Sequence, residues 1–595
     1  MRDFKHIDQD IRANVKRFGD QKIIFQKNSK SGSWEGTSWN EMLHQVETLA
    51  SAMLTFGIEK GANVAIFSQN SPNWIISDIA IMSLGAVTVP IYATNSSKEA
   101  SYIINDAQIE VVFVGDQLIY DRLHKVFDKL PSLKLIVAMD DAIELKSHSI
   151  HIGDFMEKTV NRKGLDAAYD RASLKDLASI IYTSGTTGEP KGVMLDHENF
   201  LDSLTAHDAE LEVKPHFRSL SILPLSHIYE RSWVFYCLHR GIEVYFNENP
   251  REMASVLLEV KPHVMCTVPR MFEKIYGAIQ DKRNDGSALV KGLMDWALSV
   301  GDSYYNDHLR LEKKPSAWLN LKYKFANALV FKKLRGGFGG EIQFTPCGGA
   351  PLSGDLVRFF YSFGLRIICG YGLTETTATA SLFGKTKFDF SSAGRAIKGT
   401  ELKIGPNDEV WIKGPGVMRG YYKKPEETAK VMEGEWFKSG DAGRIDQHGY
   451  LTITDRIKDL MKTSGGKYIA PQKLEMKLVS DEMIEQIAVI GDNRNFVTAL
   501  AVPSFENLKK YAEKHKISYT GIEDLIQNSE IIKMMQRRFE DLQQEFSGFE
   551  KIKKFTLLPK EFTIETGEIT STLKLKRKVI QKKYKDLIDR MYKKD

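Results

Sequence analysis

Apolar runs alternate with helical patterns through the first two thirds of the chain. The run ANVAIFSQ precedes WIISDIAIMSLGA, which has the length and apolar character of a buried helix, and AVTVPIY follows as a second short apolar run. Alternation of this kind is typical of βαβ units on a parallel sheet. The pattern returns after Asp176 in the runs ASIIYTS, FRSLSILPL, IEVYF, HVMCTVP, EIQFTPCGG and LRIICGYG. We therefore predict two stacked α/β halves.

The rest of the chain departs from this alternation. Between residues 281 and 340 strand-like runs stop and two helical stretches appear. The positions that share a helical face are Leu289, Leu293, Ala297 and Val300 in the first stretch, and Leu321, Phe325 and Leu329 in the second. After Gly384 short strands and turns indicate a small β-barrel, and a mixed α/β pattern returns from Asp455 onward.

These patterns predict an α/β fold with two domains. The large N-terminal domain, residues 1–455, consists of two doubly wound α/β subdomains plus a small β-barrel. A smaller α/β C-terminal domain, residues 456–595, follows it. A length of 595 residues agrees with this division, because it exceeds what one hydrophobic core supports.

The most apolar window, from Trp74 to Tyr92, contains Asp78 and Pro90. These two residues make a membrane-spanning helix a poor fit, and a buried helix followed by a short strand a better one. The first residues, MRDFKHIDQD, lack the apolar segment of a secretory signal peptide. We expect a cytoplasmic protein, with peripheral contact with a membrane left open as an alternative.

Charge and cysteine content narrow the class of protein further. A net charge of +5 does not indicate a protein that binds nucleic acid. Residues 551–595 carry 14 Lys and Arg against 6 Asp and Glu, so the basic excess is local. That run is either a solvated face or a surface that meets the phosphates of a nucleotide, of coenzyme A or of a membrane. The four cysteines form no C-x-x-C pair, so neither a disulfide framework nor a zinc site is indicated.

The strongest chemical signal is the stretch YTSGTTGEPKG, which starts at Tyr182 directly after the apolar run ASII. Glycines let the backbone approach a polyphosphate, while amides and hydroxyls donate hydrogen bonds without adding negative charge. The stretch is not a Walker A loop, because the second glycine and the lysine have the wrong spacing. A flexible polar loop is the alternative. The residues predicted to contact ATP are Thr183, Ser184, Gly185, Thr186, Thr187, Gly188 and Lys191, the last as a catalytic cation.

The stretch GYGLTET follows the apolar run LRIIC and sets a hydroxyl and a carboxylate at a strand end, which suits a nucleotide phosphate and its Mg²⁺. Alone, a Thr-Glu pair is more often a helix N-cap. The motifs in this order, over nearly the whole chain, resemble the adenylate-forming superfamily of acyl-CoA synthetases, peptide-synthetase adenylation domains and luciferases. The resemblance implies that Thr374 contacts the α-phosphate, that Glu375 holds Mg²⁺, and that Tyr371 and Gly372 contact the nucleotide.

Two stretches extend the resemblance to the acyl site. CGGAP resembles the family's glycine pair beside adenine and the acyl group, which assigns Gly349 and Ala350 to the nucleotide and Gly348 to the acyl or CoA site. Cys347 is interpreted as a small packing residue and not as a nucleophile. In LPLSHIYER, His227 resembles a residue that borders the acyl site, with a purely structural histidine as the alternative.

The stretches WFKSGD and DRIKD carry the next set of implied roles. By resemblance, Asp441 accepts both ribose hydroxyls and Arg456 makes a second contact with the ribose or a phosphate. Lys458 resembles the hinge about which a mobile C-terminal domain rotates. Gly465 and Gly466 resemble the loop that lines the passage for the pantetheine of CoA, and an ordinary surface turn is the alternative.

Near the C-terminus, the stretch TSTLKLKR resembles the site of the family's catalytic lysine, which bridges the carboxylate and the α-phosphate during adenylation. This assigns Lys574, although Lys576 leaves the register open and a further charge on a basic tail is the alternative. Leucine in place of glycine before Lys574, the stretch VPRMF at residues 268–272 and the long helical region resemble the long-chain branch of the family. The spacing gives VPRMF no role. The apolar faces of the long helical region are interpreted as part of the core, and a surface that helps to collect fatty acid at a membrane is the alternative.

Together the motifs predict ATP-dependent, AMP-forming activation of a long-chain fatty acid through an acyl-adenylate, followed by thioester formation with coenzyme A. The expected ligands are ATP with Mg²⁺, coenzyme A and the fatty acid, and we expect no nucleic-acid partner. Two alternatives stay open: an adenylating enzyme that hands its acyl group to a carrier protein, and a fatty-acid-binding protein without catalytic activity. Neither the chain length of the acid nor the oligomeric state follows from these motifs.

Overall fold

The computed structural model describes residues 4–28, 30–157, 162–183, 189–249, 252–457, 459–464, 467–570 and 574–593. The fold is mixed α/β, with a large N-terminal domain and a smaller C-terminal domain, so the predicted fold class is confirmed. The strands, in chain order, are β1 (Lys22–Lys27), β2 (Trp34–Ser38), β3 (Asn63–Ser68), β4 (Val87–Tyr92), β5 (Val111–Val114), β6 (Leu135–Ala138), β7 (Ser149–His151), β8 (Leu177–Thr183), β9 (Lys191–Asp196), β10 (Arg218–Ser221), β11 (Glu243–Phe246), β12 (Thr345–Cys347), β13 (Ile367–Tyr371), β14 (Ser381–Leu382), β15 (Arg395–Ala396), β16 (Glu401–Ile404), β17 (Glu409–Lys413), β18 (Gly420–Tyr421), β19 (Met432–Glu433), β20 (Trp436–Ile445), β21 (Leu451–Arg456), β22 (Met461–Lys462), β23 (Tyr468–Ile469), β24 (Ile484–Ile490), β25 (Val497–Pro503) and β26 (Ile552–Leu557).

The α-helices surround the sheets and fill the C-terminal domain. In chain order they are α1 (Ile7–Phe18), α2 (Trp39–Phe56), α3 (Pro72–Ser83), α4 (Ser97–Ala107), α5 (Gln117–His124), α6 (Ile152–Met156), α7 (Arg162–Asp170), α8 (His197–Glu210), α9 (Ile228–Arg240), α10 (Met253–Val260), α11 (Pro269–Asp285), α12 (Ala288–Gly301), α13 (Ala317–Ala326), α14 (Lys332–Gly336), α15 (Gly354–Ser362), α16 (Pro425–Val431), α17 (Pro471–Val479), α18 (Phe505–Lys514), α19 (Ile522–Leu525), α20 (Ser529–Leu542), α21 (Arg577–Lys583) and α22 (Lys585–Tyr592). None of the helices in the described part of the chain has the length and apolar character that a bilayer-spanning segment requires.

The first sheet runs in the order β18–β9–β8–β4–β3–β5–β6–β7. Its centre is parallel, since β4 and β5 both pair in parallel with β3. The apolar run of β4 is buried along nearly its whole length, as expected for a parallel strand covered by helices on both faces. On one side the sheet turns antiparallel, because β8 continues into a hairpin with β9. The polar loop of the first motif is the connection of that hairpin.

The second sheet contains the segments β10–β11–β1–β2 and β12–β13–β14–β15. Backbone bridges through Val264, to Ser219 on β10 and to Phe344 beside β12, join the two segments. Strands β12 and β13 are parallel. The stretches CGGAP and GYGLTET, which include and follow the ends of these strands, therefore leave the sheet at the same edge, where ligands bind in open α/β sheets.

A third, antiparallel sheet occupies the region for which short strands and turns were predicted. It runs in the order β16–β17–β20–β19, and β21 pairs with β20. The β20–β21 pairing sets Asp441 directly opposite Arg456. Two residues that are 15 positions apart in the sequence are thereby brought side by side.

The C-terminal domain has its own sheet, β24–β25–β26, and the short hairpin β22–β23. Its apolar core includes Leu474, Val497 and Met535 from a helix, a strand and a second helix. A domain with a separate core of this kind can change its position relative to its neighbour without unfolding.

Helix α3 is the buried helix predicted from the most apolar window, and β4 is the short strand that follows it. Asp78, the one charged residue of α3, is fully buried and pairs with Arg231 of α9. Arg231 Nε and Nη2 donate to the two Asp78 oxygens at 2.7 and 2.6 Å, and Nη1 donates to Ser179 Oγ on β8 at 2.6 Å. Helix α9 is thus held to the first sheet by a charge pair whose groups are satisfied.

The two apolar faces predicted between residues 281 and 340 are only partly buried. Ala297 and Val300 of α12 are buried, but Leu289 is 82% exposed. In the second stretch Leu321, Phe325 and Leu329 are 44%, 56% and 57% exposed, so a core role is wrong for these three residues. Helical periodicity identifies a shared face, but it does not say whether another element covers that face.

Candidate active site

One cavity of about 710 Å³ lies where the two sheets, the antiparallel sheet and the C-terminal domain meet. Its volume falls within the range of about 300–1,000 Å³ that is typical of small-molecule sites. Five cationic and three acidic side chains line it: Lys191, Lys430, Lys438, Arg456 and Lys574 against Glu375, Glu409 and Asp459. The polar part of the cavity therefore has an excess of positive charge, which suits an anionic ligand.

The hairpin β8–β9 brings the two ends of the predicted phosphate loop to this cavity. Thr183 and Lys191 are direct cross-strand partners, and both line the cavity. The loop between them must consequently begin and end at its wall. The loop residues Ser184, Gly185, Thr186, Thr187 and Gly188 lie outside the residues that the structure describes.

Two side chains, one of β18 and one of α16, surround Lys191 and connect it to Glu375. Its Nζ lies 2.5 Å from Glu427 Oε2 and 5.0 Å from the centre of the Tyr421 ring. The Tyr421 hydroxyl in turn donates to Glu375 Oε1 at 2.9 Å. Lys191 lowers the pKa of Glu427 to about 2 through its hydrogen bond, with Lys430 as a second donor. The predicted cation and the predicted metal-binding carboxylate thus belong to one network.

The segment after β13 positions Thr374 and Glu375. Gly372 has no space for a side chain, because a Cβ atom there would lie 2.1 Å from the carbonyl oxygen of Ala378. This tight turn leads into a short 3₁₀ segment, Thr374–Thr376, whose first two residues line the cavity. Both predicted residues of this motif therefore face the same space as Lys191.

Tyr371, Asp441 and Arg456 form a cluster at the wall of the cavity. The Tyr371 hydroxyl donates to Asp441 Oδ2 at 2.7 Å, and Arg456 Nε lies 3.2 Å from Asp441 Oδ1. Burial raises the pKa of the Tyr371 hydroxyl well above its usual range, and the Asp441 carboxylate adds to the shift. Of the three residues, Arg456 is a cavity-lining residue, while Tyr371 and Asp441 lie behind it. Asp441 is only 4% exposed. Each of its oxygens has one partner here, and a carboxylate oxygen can accept two hydrogen bonds.

The glycine pair of CGGAP reaches the cavity, but the alanine after it does not line it. Gly348 and Gly349 are lining residues, and Gly349 has a φ of +82°, which favours glycine. Ala350 is exposed and is absent from the described lining of the cavity. Burial raises the pKa of the Cys347 thiol well above its usual range, which agrees with the packing role expected for it.

Lys574 of the C-terminal domain lines the cavity of the N-terminal domain. Two hydrogen bonds to Thr570 hold its backbone: Thr570 N donates to the Lys574 carbonyl at 2.8 Å, and Lys574 N donates to Thr570 Oγ1 at 3.0 Å. By accessible surface Lys574 is an exposed residue, and the cavity reaches its side chain. Lost hydration, and then repulsion by Arg456, lower the pKa of Lys574 to about 8, against the attraction of Asp441 and Glu375.

Lys576 has a different place from Lys574. It precedes α21, and its backbone N–H donates to the Glu568 carbonyl at 2.7 Å. Among the described residues it is not part of the cavity lining. Of the two lysines between which the sequence left the register open, the geometry therefore favours Lys574.

The opposite end of the cavity is lined by aromatic side chains of α9. Tyr229, Trp233 and Tyr236 follow one another at helical spacing, and all three line the cavity. His227 caps the helix, since its Nδ1 accepts from Tyr229 N at 3.1 Å. Burial, and then the charge of Lys574, lower the pKa of His227 to about 4, so its ring is neutral at pH 7. His227 thus stands between the polar part and the aromatic part of the cavity.

The described residues contain no cluster of three or more His, Cys, Asp or Glu side chains that could hold a metal ion. Glu375 offers a carboxylate to the cavity beside Thr374. One carboxylate together with substrate phosphates and water is a usual environment for Mg²⁺, which seldom has a cage built from protein alone. The residues present consequently fit a magnesium ion that arrives with a nucleotide.

Three predicted residues near the start of the C-terminal domain, Lys458, Gly465 and Gly466, lie outside the residues that the structure describes. Their neighbour Asp459 lines the cavity, which was not foreseen. Thr463 N donates to the Lys467 carbonyl at 2.9 Å.

Several lining residues were missed by the sequence analysis. The aromatic residues of α9 had a usable signal, since Tyr229, Trp233 and Tyr236 recur at the spacing of one helical face. Glu427, the partner of Lys191, had none, because it is 236 positions away in the sequence and lies in a polar helix. Glu409, which accepts from Gly440 N at 3.0 Å, likewise had no local signal.

Comparison with known proteins adds independent observations. A family model described as AMP-binding enzyme matches residues 11–422, and one described as AMP-binding enzyme C-terminal domain matches residues 458–595. Long-chain-fatty-acid–CoA ligase FadD15 of Mycobacterium bovis is 30% identical, over 96% of this chain and 95% of that protein. Long chain acyl-CoA synthetase 1 of Arabidopsis thaliana is 30% identical, over 98% and 92%. The crystal structure of the adenylation domain of a carboxylate reductase from Mycobacterium chelonae has a TM-score of 0.77 at 20% identity, over 100% of this chain and 92% of that one.

Proposed function

The chain belongs to the family of AMP-binding enzymes, and on that basis we propose that it is a long-chain fatty acid–CoA ligase that forms AMP. It activates the acid as an acyl-adenylate and then transfers the acyl group to coenzyme A. The observation that carries the proposal is that Lys574, Glu375 and Lys191 line the same cavity as the aromatic face of α9. A nucleotide triphosphate and an apolar acid can therefore meet there.

In the first half-reaction a carboxylate oxygen of the acid attacks the α-phosphorus of MgATP. A bond forms between that oxygen and the phosphorus, the bond to the bridging oxygen breaks, and pyrophosphate leaves. Two anions must approach each other, so the site has to neutralise charge and align the attack. Lys191 and Arg456 supply positive charge to the phosphates, and the ammonium of Lys574 contacts both the attacking carboxylate and the α-phosphate.

Thr374 and Glu375 complete the nucleotide side of the site. The Thr374 hydroxyl donates to the α-phosphate, and Glu375 would hold the magnesium ion, which would neutralise phosphate charge. Tyr421 holds the Glu375 side chain by a hydrogen bond of 2.9 Å, so the carboxylate does not have to be ordered when the substrate binds. Asp441 accepts from the ribose hydroxyls in this scheme, in the place where Tyr371 and Arg456 already orient it.

The acid lies with its carboxylate near Lys574 and its chain along the aromatic face. His227 separates the two regions, and its low pKa keeps the ring neutral beside the apolar chain. The names of the two relatives support a long-chain acid, since both are called long-chain enzymes.

In the second half-reaction the thiol sulfur of coenzyme A attacks the acyl carbon. The bond from that carbon to the AMP oxygen breaks, and AMP leaves. The thiol proton is lost to the solvent.

The test is AMP and pyrophosphate release from ATP across acids from acetate to oleate, with and without coenzyme A. We expect long chains to be preferred and AMP to accumulate only when coenzyme A is present. Lys574→Ala should lower the rate of adenylate formation on the order of 10²–10³-fold, as for the loss of one charge-stabilising donor. Lys576→Ala is the matched control, two residues away in the same basic stretch, and should retain activity close to wild type.

The contrary outcomes are distinct from one another. If no acid releases pyrophosphate, the chain is a binding protein without catalysis. If pyrophosphate is released but coenzyme A does not promote AMP release, the acyl acceptor is a carrier protein. If Lys574→Ala is as active as wild type, the assignment of the lysine is wrong even when the activity stands.

A further inference from the structure

An apolar ridge runs along the outside of the helix that begins at α13. A π-helical segment, Asn327–Phe331, continues α13 into α14, so residues 317–336 form one helical rod. The ridge consists of Trp318, Leu321, Phe325 and Leu329, which are 64%, 44%, 56% and 57% exposed. Their spacing of three and four residues sets them on one face.

The rod is firmly packed on its other side. The Tyr323 ring stacks on Tyr304 at 4.0 Å between ring centres, and the interplanar angle is 9°. Ala326 and Phe331 are fully buried. The exposure of the ridge therefore does not result from a helix detached from the protein, because the same helix has a covered apolar face and an uncovered one.

A second helix adds to the uncovered apolar surface. Helix α12 packs against α13 and exposes Leu289, Val290, Leu293 and Trp296. Single exposed apolar residues are normal on protein surfaces, but eight on two neighbouring helices are not. An apolar patch of this kind generally marks an interaction site.

The charges beside the ridge are of one sign. Residues 309–336 contain eight Lys and Arg and a single acidic residue, Glu312. Glu312 pairs with Lys387, outside this stretch. Arg310 and Arg335 donate to backbone carbonyls, of Phe388 and Phe363. The six lysines of the stretch have no carboxylate partner among the described residues: Lys313, Lys314, Lys322, Lys324, Lys332 and Lys333.

The lysines lie on and beside the ridge itself. Lys322 Nζ is 5.3 Å from the centre of the Trp318 ring, so its charge lies directly over an exposed aromatic side chain. Lys324 and Lys332 are exposed on the same rod. Long lysine side chains can extend past an inserted apolar face and keep their ammonium groups among polar headgroups.

We propose that this ridge and its lysines dock the protein on the surface of a membrane with anionic lipid headgroups. Trp318, Leu321, Phe325 and Leu329 enter the boundary between headgroups and acyl chains, and the lysines contact lipid phosphates. A helix with Trp, Phe and Leu on one face and lysines beside it is typical of such interfacial binding. Lysine is depleted in protein–protein interfaces, which argues for a lipid surface instead of a protein partner. The docking is inferred from the surface alone; its purpose, access to fatty acid held in the membrane, rests on the proposed function.

The test is sedimentation of the full-length protein with vesicles, without ATP or coenzyme A, so that it does not depend on catalysis. We expect binding to phosphatidylcholine vesicles that contain phosphatidylglycerol, weaker binding to phosphatidylcholine alone, and a decrease with salt. The triple variant Trp318→Ser, Leu321→Ser, Phe325→Ser should lose on the order of tenfold or more in vesicle partitioning. The double variant Lys322→Glu, Lys324→Glu should bind anionic vesicles more weakly than wild type by about 30-fold or more, since each lysine near an anionic surface contributes about 1 kcal/mol.

Leu118→Ser is the matched control, because Leu118 is 60% exposed on α5 and has no part in the ridge. It should bind vesicles as wild type does. Activity with a short acid in free solution should be unchanged in the triple variant, which shows that the variant is folded. The proposal is overturned if wild type does not bind anionic vesicles, or if the triple variant binds them as wild type does. It is also overturned if wild type is a dimer and the triple variant is a monomer, because a second copy of the chain would then cover the ridge. A wild-type protein that is active but does not bind vesicles contradicts only the membrane docking. A wild-type protein that binds vesicles but is inactive contradicts only the proposed function.

Discussion

At the scale of single residues, Lys574 illustrates how a fold changes the chemistry of a side chain. An ordinary lysine is protonated up to about pH 10.4. Lost hydration beside the surrounding protein groups, and then the neighbouring Arg456, lower the pKa of Lys574 to about 8. Its charge in the free enzyme is therefore sensitive to pH in a range where other lysines do not respond.

This gives a prediction for pH dependence. In the proposed mechanism the charged form of Lys574 helps adenylation, and that form is lost as pH rises through the lowered pKa. We expect kcat/KM for ATP in pyrophosphate release to fall above pH 8, because that quantity reports the free enzyme. The fall in kcat should come at higher pH, since bound phosphates stabilise the ammonium.

The control is Lys574→Arg, whose guanidinium stays charged throughout the range. Its kcat/KM should be lower than that of wild type but flat from pH 7 to pH 9. An equal fall above pH 8 in wild type and in Lys574→Arg would assign the titration to another group.

At the scale of elements, the buried pair Asp78–Arg231 fixes α9 to the first sheet, and α9 carries His227 and the aromatic face of the cavity. The sequence of α3 alone predicts a buried apolar helix and gives no reason for the charged residue Asp78 within it. Its partner is 153 positions away, so the reason for Asp78 is visible only in the tertiary structure.

Removing one partner of a buried pair leaves the other charge unsatisfied. We expect Asp78→Ala to destabilise the protein by about 3–5 kcal/mol, which thermal and denaturant unfolding would detect. Asp121→Ala is the control, because Asp121 and Lys146 form a pair of similar length, 2.7 Å, in which both side chains are about half exposed. That substitution should leave the stability nearly unchanged, because solvent screens an exposed pair. Equal effects of the two substitutions would refute a special role for the buried pair.

At the scale of the whole molecule, the position of the C-terminal domain decides whether Lys574 reaches the cavity. Arg270, in the stretch VPRMF to which the spacing gave no role, makes a contact between the domains. Its Nη2 donates to the carbonyl of Glu485 on β24 at 3.0 Å and also contacts the Glu485 side chain. Arg270 thus stabilises the arrangement that holds Lys574 beside Glu375.

We accordingly expect Arg270→Ala to slow adenylation by roughly 5- to 30-fold, which corresponds to about 1–2 kcal/mol for a partly buried contact to a charged group. Thioester formation from supplied acyl-adenylate should not slow, since the arrangement needed for it has no reason to retain this contact. Lys274→Ala is the control: Lys274 lies 3.9 Å from Glu485 and is 67% exposed, so its loss should change neither step measurably. A parallel loss of both half-reactions in Arg270→Ala would contradict the account.

The local pattern of the sequence was sufficient for the alternation of strands and helices, the buried helix α3, the strand β4 and the order of the motifs. These follow from periodicity and from backbone requirements such as that of Gly372, which act over a few residues. The sequence also indicated which residues could contact phosphates, because hydroxyls, glycines and lysines close together in a chain stay close together in space.

Only the tertiary structure determined which of these residues share a cavity, and which apolar faces are covered. The Lys191–Glu427 pair, the Asp441–Arg456 partners and the position of Lys574 at the cavity depend on contacts between different elements of the fold. Periodicity predicted one face in Leu321, Phe325 and Leu329, but their exposure depends on what packs against α13. A sequence specifies the pattern of each element, whereas burial and electrostatic environment are properties of the elements that surround it.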